Sequence, residues 1–403
     1  MKLRRKTYTD ACRWIAGAAG TAMFLYFAVA TAQPAQRALP VIADDLDRKS
    51  LDAAIAQSMI YLAKLSPDHV VGEEPRRFTA AEVMATLRAF QQTFKHWHCR
   101  ECWIKEVADR FDVFPSSGKP ELQPVLFTGY YQPLIDASLA PTAEYTHPIY
   151  AVPADLVVAE GAPQGSGPGA IRRVGRLQGD KVVPYYSRAE IDHKGSLRGR
   201  GLEIAWAKDP VDIFFLQIQG SGILRLPNGR RLQIGYAGHN GLPYRSIGRL
   251  LIDDGKIAQE EMSMQRLRRY LAEHPEQRDQ IMAYNESYVF FRFLSQGPLG
   301  SLEVPVTPGR SIATDSRLFP KGALAFIYSE RPVLDGAGRL RGWTPFLRFV
   351  LNQDTGGAIR GPQRVDLFFG ADGQAAAKAG YMNSRGKLYF LALKKPTPKT
   401  AAR

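Results

Sequence analysis

Cysteine is scarce. There are three among 403 residues, at positions 12, 99 and 102, too few for a disulfide-stapled scaffold. Histidine is scarce as well, and His69, His147, His193, His239 and His274 are scattered without any ligand spacing, so no multi-histidine metal centre is encoded. No internal repeat is evident, which excludes a solenoid or a propeller. The tripeptide Asp354-Thr355-Gly356 has no second D-[ST]-G partner, so a single-chain aspartic protease, which needs two such aspartates sharing a proton, is excluded. Acids are outnumbered, 39 against 53 Lys+Arg, a formal +14. That surface suits nucleic acid, anionic lipid or an acidic polymer such as a cell wall, and charge alone does not choose among them.

What the chain has is enough material for a packed interior. Hydrophobic residues make up 45% and charged residues 23%, which excludes wholesale disorder. At roughly 150 residues per domain, two domains are expected. The 36 Gly and 27 Pro are spread along the chain and predict many turns, hence a strand-rich protein.

The N-terminus carries Lys2, Arg4, Arg5, Lys6 and Arg13 against Asp10, then an uncharged run from Trp14 to Ala32 ending in two small-x-small patterns. This has the order of a secretory signal peptide, residues 1–32, cut near Ala32. An uncleaved anchor stays open, because a run of ~19 residues can just span a bilayer. Either reading exports the rest, into the periplasm where the cell envelope is Gram-negative, and makes nucleic acid an unsuitable partner. Loss of 1–32 removes five bases and one acid and leaves +10. Cys12 precedes the apolar run, so it is no lipid-attachment site.

Residues 33–50 are polar and Ala/Pro-rich and are expected to pack poorly, within a linker or helical region over 33–74. Val83, Leu87, Phe90, Phe94 and Trp97 share one face of a helix over 80–97, and Thr79 with Glu82 forms a capping box at its start. From about 122 short aromatic runs bounded by proline predict strands. Residues 161–170 form a Gly/Pro-rich loop. Residues 211–222 (VDIFFLQIQGSG) and the run after them predict strands, with a hairpin turn at Pro227-Asn228-Gly229. Helices return over 244–252 and 262–272, and strands resume after Pro298 to about 394. The tail 395–403 is basic and Pro-interrupted. This order predicts a mainly β, α+β protein: a barrel domain with flanking helices over 75–132 and 241–394, interrupted by a smaller β-domain over 133–240.

The densest chemistry lies in residues 353–370. Asp354 precedes Gly356-Gly357, whose backbone N–H groups can turn toward a carboxylate, and such a carboxylate is expected to be low in pKa and weak as a base. Asp366 sits in the apolar run Val365–Phe369, where desolvation raises a carboxyl pKa. Two carboxyls in different environments separate an acid from an ionised partner. Asp315 lies in a third strand-like run. The bland alternative is that all three aspartates hold turns. His96, His98, Cys99 and Cys102 leave three states open: a disulfide, favoured in an oxidising compartment, free thiols, or a zinc site lacking the usual second pair.

The segments GRSIATDSRLFPKG and DTGGAIRGPQRVDLFFG together resemble the three-aspartate domain (310–370) of the membrane-bound lytic murein transglycosylase A family. LFTGYYQP, RAEI at 188–191, FFLQIQGSG, GYAGHNGLPYRSIGRLL and NESYVFFR resemble that family's segments in the same order, over roughly 75–394. The resemblance implies a double-psi β-barrel with an inserted β-domain, a glycan groove between them, Asp366 as general acid and base, Asp354 and Asp315 as its supporting aspartates, and no cofactor or metal. It implies cleavage of the β-1,4 bond between N-acetylmuramic acid and N-acetylglucosamine with formation of a 1,6-anhydro end. It also implies a departure, since well-known relatives are lipoproteins and this chain has no lipidation cysteine after its apolar run. Thr128, Tyr130, Tyr131, Gln219, Gly220, Ser221 and Gly222 are candidates to line the groove, although core packing explains the tyrosines equally well. Arg360 and Arg364 are candidates for wall carboxylates, with solvated roles as the alternative. Expected partners are peptidoglycan strands and cell-wall synthesis or division proteins. The rivals are a non-catalytic wall-binding protein and a muramidase, which would need a second carboxylate for water or covalent attack.

Overall fold

In the computed structural model, the described residues are 42–118, 123–161, 171–371 and 373–395, with side chains at 159–161 and 171–173 left aside. The candidate signal peptide and most of the basic tail lie outside them.

The helix Ala80–Gln92 begins where the sequence places it. Thr79 accepts from the Glu82 N–H while Glu82 reaches back to the Thr79 N–H. Its apolar face buries Val83, Leu87 and Phe90, and a 3-10 turn, Thr93–His96, carries the face on to Phe94. Phe90 meets Phe94, Trp103, Phe111 and Phe349, so this helix covers one side of the barrel core. Of the segment 33–50 expected to pack poorly, residues 33–41 lie outside the described residues, and 42–50 pack well. Ile42 is buried, Asp44 forms a paired hydrogen bond with the fully buried Arg310, and the helix Arg48–Leu62 begins at 48, burying Leu51, Ala54, Ile55 and Leu62. Asp44 is one local acid whose partner lies 266 residues away, which no local pattern reveals.

Six strands close into a barrel: Leu324–Leu334, Leu340–Asp354, Ser311–Ala313, Arg364–Phe368, Val125–Tyr130 and Asn383–Leu393, which pairs back onto Leu324–Leu334. Phe111–Pro115 adds to the outside of Asn383–Leu393. Two of the pairings are parallel, Ser311–Ala313 with Leu340–Asp354 and Arg364–Phe368 with Val125–Tyr130. The architecture is a double-psi β-barrel, with Val125, Phe127, Ile312, Phe326, Phe349, Val365 and Leu367 in its closed interior.

A second sheet of six strands has the order Val289–Leu294, Arg231–His239, Ser221–Arg225, Leu134–Ser138, Glu203–Ala207 and His147–Tyr150. The turn at Pro227-Asn228-Gly229 joins two of them, with Gly229 at φ 80°, where a side chain would be strained. Strand Val289–Leu294 comes from well beyond residue 240. The run VDIFFLQIQ, read as a strand from its sequence, is instead the helix Pro210–Gln219. Asp209 caps the Val211 N–H, Pro210 occupies the first turn, and Gly220 at φ 77° closes the last. The helix is buried on nearly every side, so it shows no polar face by which a 3.6-residue period could be read. Two smaller sheets, a three-stranded one of Leu156–Gly161, Ile171–Gln178 and Lys181–Val183 and a two-stranded one of Val70–Gly72 and Phe78–Thr79, complete the sheets of the described residues.

Candidate active site

Strand Arg364–Phe368 alternates. Val365 and Leu367 point into the barrel, which leaves Arg364 and Asp366 on its outer face. The parallel neighbour places Leu126 beside Arg364 and Thr128 beside Asp366. The antiparallel strand beyond sets Asn383 opposite Thr128. Thr128 Oγ1 donates to Asp366 Oδ1 at 2.7 Å. Burial raises the Asp366 pKa, and the Thr128 hydrogen bond and the Arg364 charge pull against it. A carboxyl in this setting holds its proton more tightly than a free one.

Asp354 ends the strand Leu340–Asp354. Its Oδ1 accepts from the backbone N–H of Thr355 at 2.8 Å and of Ser301 at 2.9 Å, and its Oδ2 from the Tyr130 hydroxyl at 2.9 Å. The expectation of a low pKa fails here. The backbone donors are Thr355 and Ser301 rather than Gly356 and Gly357, and burial outweighs them. The carboxyl is pushed up to about 6, the charge of Asp366 adding to the rise. Ser301 went unread in the sequence, although a signal adjoins it: a Cβ on Gly300 would stand 2.5 Å from the Gln353 carbonyl oxygen and 3.4 Å from Asp354 Cγ. Tyr130 is held well above its ordinary pKa by burial and by Asp354, and so stays a hydroxyl donor.

Asp315 is fully buried and fully occupied. Arg317 grips it with Nε at 2.9 Å and Nη2 at 2.7 Å, and the N–H groups of Arg317 and Gly361 also donate to it. Burial alone would raise its pKa; these bonds outweigh burial and hold it at about 2. Next to it, the Thr314 carbonyl accepts from Thr355 Oγ1 at 2.8 Å. Thr314 and Asp315 therefore pin the two ends of the glycine-rich segment that separates Asp354 from Arg364.

The candidates for lining the groove divide. Thr128 and Tyr130 meet the two aspartates. Tyr131 is buried against Ala375 and Ala379, and its N–H donates to Gln219 Oε1 at 2.9 Å. Gly220 closes the preceding helix, and Ser221 is buried opposite Gly235. The Tyr131–Gln219 bond ties the end of strand Val125–Tyr130 to the helix Pro210–Gln219. Arg364 keeps a buried Nε with no hydrogen-bond partner. Arg360 lies near His239, whose pKa is lowered first by burial and then by that charge. Tyr244, not singled out from the sequence, is half-buried within electrostatic reach of Asp366, Arg364 and Arg188. Among the described residues no group of three or more His, Cys, Asp or Glu could hold a metal ion. Cys99 and Cys102 are joined as a disulfide, and His96 Nδ1 is within 2.8 Å of Glu106.

Two family descriptions match the chain, the MltA specific insert domain over residues 126–292 and the 3D domain over 310–392. Membrane-bound lytic murein transglycosylase A of Escherichia coli (strain K12) is 34% identical over 283 residues, 70% of this chain and 69% of the relative. The chain belongs to the membrane-bound lytic murein transglycosylase A family. The enzyme of that name from Vibrio cholerae is 31% identical over 67% of this chain and 66% of its own. Among solved structures, a membrane-bound lytic murein transglycosylase from Agrobacterium tumefaciens superposes with a TM-score of 0.71 at 32% identity, covering 86% of this chain and 93% of its own. Escherichia coli MltA with bound chitohexaose gives 0.65 at 26% identity, covering 89% and 93%. Within this family's layout, the insert description spans nearly all of the second six-stranded sheet, and the 3D description spans the barrel strands from Ser311 onward.

Proposed function

We propose that this chain is a lytic transglycosylase of peptidoglycan and that Asp366 is its single acid and base. The observation that carries the reading is the contrast between two half-buried carboxyls on one barrel wall. Asp366 accepts one hydrogen bond, from Thr128, whereas Asp354 accepts three, from Thr355, Ser301 and Tyr130. Asp366, protonated through burial, donates to the oxygen between N-acetylmuramic acid and N-acetylglucosamine. As a carboxylate it then takes the proton of the C6 hydroxyl while that oxygen closes onto C1. The bond to the leaving sugar breaks, a 1,6-anhydro ring forms, and no water enters. Hydrolysis by the same acid needs a second carboxylate free to activate water or to attack. Asp354 has its oxygens filled and its position fixed, which suits it to steady Tyr130 and the charge developing near Asp366. Asp315 acts one step further out, by holding the segment between them.

A glycan strand as the ligand agrees with the chitohexaose bound to the Escherichia coli relative. An envelope location agrees with relatives named membrane-bound. Among the described residues no helix is long and apolar enough to cross a membrane. The finer placement, export by the 1–32 leader, is tested by N-terminal sequencing of the exported protein, where a start at Met1 in the membrane fraction replaces the cleaved signal with an anchor.

Mass spectrometry of a borohydride-treated digest of sacculi tests the activity. Products one water lighter than hydrolytic muropeptides, and resistant to reduction, are expected. Reducible N-acetylmuramic acid ends as the main product identify a muramidase instead, and uncleaved sacculi that pellet with the protein identify a binder.

A further inference from the structure

The register of the barrel strands places more than a catalytic group on its outer face. One row across three strands reads Asp366, Thr128, Asn383, and the next reads Arg364, Leu126, Arg385. Along the third strand Asn383, Arg385 and Lys387 are exposed, alternating with buried Ser384, Gly386 and Leu388. Lys387 stands opposite the exposed Tyr328 of the following strand. Arg364, Arg385 and Lys387 thus share one face. Rows along a strand lie ~7 Å apart and neighbouring strands ~5 Å apart, so Arg364 is one row from the acid and Arg385 ~10 Å across from it.

Among the described residues none of these three cations has an ion-pair partner, although Arg residues elsewhere in the fold are paired repeatedly. Arg364 adds the buried Nε left without an acceptor. The other ionisable groups on this face are few. Asp366 acts on Arg364 through its charge without forming a contact pair, Tyr244 lies within electrostatic reach of Arg364 and Asp366, and Glu330 follows two residues after Tyr328. A neutral sugar chain has no use for a row of unpaired cations. A carboxylate-bearing chain does, because each cation meets a fixed negative charge at a known distance from the scissile bond.

We propose that Arg364, Arg385 and Lys387 form a carboxylate-binding subsite on one side of the scissile bond, giving the enzyme a preference for acid-bearing glycan over neutral glycan. This rests on the reading of the barrel wall as a glycan-cleaving site and extends it to substrate choice. The carboxylates have two sources in peptidoglycan, the lactyl group where a muramyl residue is bare and the peptide where it is substituted.

The test uses the full chain with Asp366→Asn to stop turnover, with and without Arg385→Ala and Lys387→Ala, two exposed substitutions outside the core. Binding is measured for peptide-bearing strands, peptide-free strands and neutral chitohexaose, at low and high salt. Two exposed charge contacts together correspond to about a tenfold change in affinity. The expected result is that loss for the acid-bearing strands, fading as salt screens the charges, with chitohexaose unaffected. A loss confined to peptide-bearing strands assigns the subsite to the peptide, and an equal loss on peptide-free strands assigns it to the lactyl group. Unchanged binding of all three, or an equal loss for chitohexaose, overturns the subsite and leaves the enzyme reading intact. If the Asp366→Asn parent binds none of the three, the enzyme reading itself fails.

Discussion

Asp354→Asn should make the protein more stable at neutral and higher pH, and not near pH 4. Asparagine keeps the geometry: its amide oxygen can accept from the N–H groups of Ser301 and Thr355, and its nitrogen can donate to the Tyr130 oxygen. What it removes is a charge that burial opposes. In the fold the Asp354 carboxyl titrates at about 6, against 3.8 for the free group. Between those values the folded state binds more protons than the unfolded chain, so this group's contribution falls as pH rises through the window. At 1.36 kcal/mol per unit the whole shift corresponds to ~3 kcal/mol, of which ~2 kcal/mol is expected once solvent around this partly buried residue is allowed for. The assay is urea unfolding of both proteins at pH 4, 5, 6, 7 and 8. Near pH 4 the two should be close, and by pH 8 the variant should lead by that margin. If the wild type instead gains on the variant between pH 4 and 7, the carboxylate is stabilised in the fold and the account of Asp354 is wrong.

Asp366→Asn should fold, bind strands and lose ~10²–10⁴ in turnover, the usual contribution of a general acid, as read by sacculus clearance. Near-normal turnover here with an inactive Asp354→Asn would reverse the two roles. Thr128→Val removes a donor to the ionised Asp366, so its pKa should rise further and the alkaline limb of kcat/KM should move to higher pH by about one unit, the worth of one charge-assisted hydrogen bond; an unmoved limb means Thr128 does not set that pKa. Asp315→Asn should cost ~2 kcal/mol at neutral pH through the lost Arg317 grip, a cost that shrinks as pH falls from 3.8 toward about 2, where the wild-type carboxyl also becomes neutral. A variant as stable as the wild type at pH 7 removes the clamp argument.

Legibility in the sequence followed the range of the interaction. The helix after Thr79 was readable because its cap and its apolar period lie within 18 residues, and the hairpin at Asn228-Gly229 because the turn type demands those residues. The helix Pro210–Gln219 was misread because burial on nearly every side erased its period, while Asp209, Pro210 and Gly220 marked both ends and were passed over. Asp366 stood out as a carboxyl inside an apolar strand. Its donor Thr128 is 238 residues away and was reached only through a family resemblance. The pKa of Asp354 went astray because two glycines suggested donors, whereas neither Ser301 nor the depth of burial is visible in the D-T-G-G segment.

The barrel's strand order has a consequence for the order in which the chain is made. Val125–Tyr130 sits between Arg364–Phe368 and Asn383–Leu393, so the wall holding Thr128 and Asp366 gains its final strand only when the last residues before the tail arrive. A chain whose synthesis has not reached those residues therefore cannot complete that wall. Any product shortened before residue 383 has an open seam where Asn383 should meet Thr128. Truncated forms carry the acid without the strand that completes its surroundings.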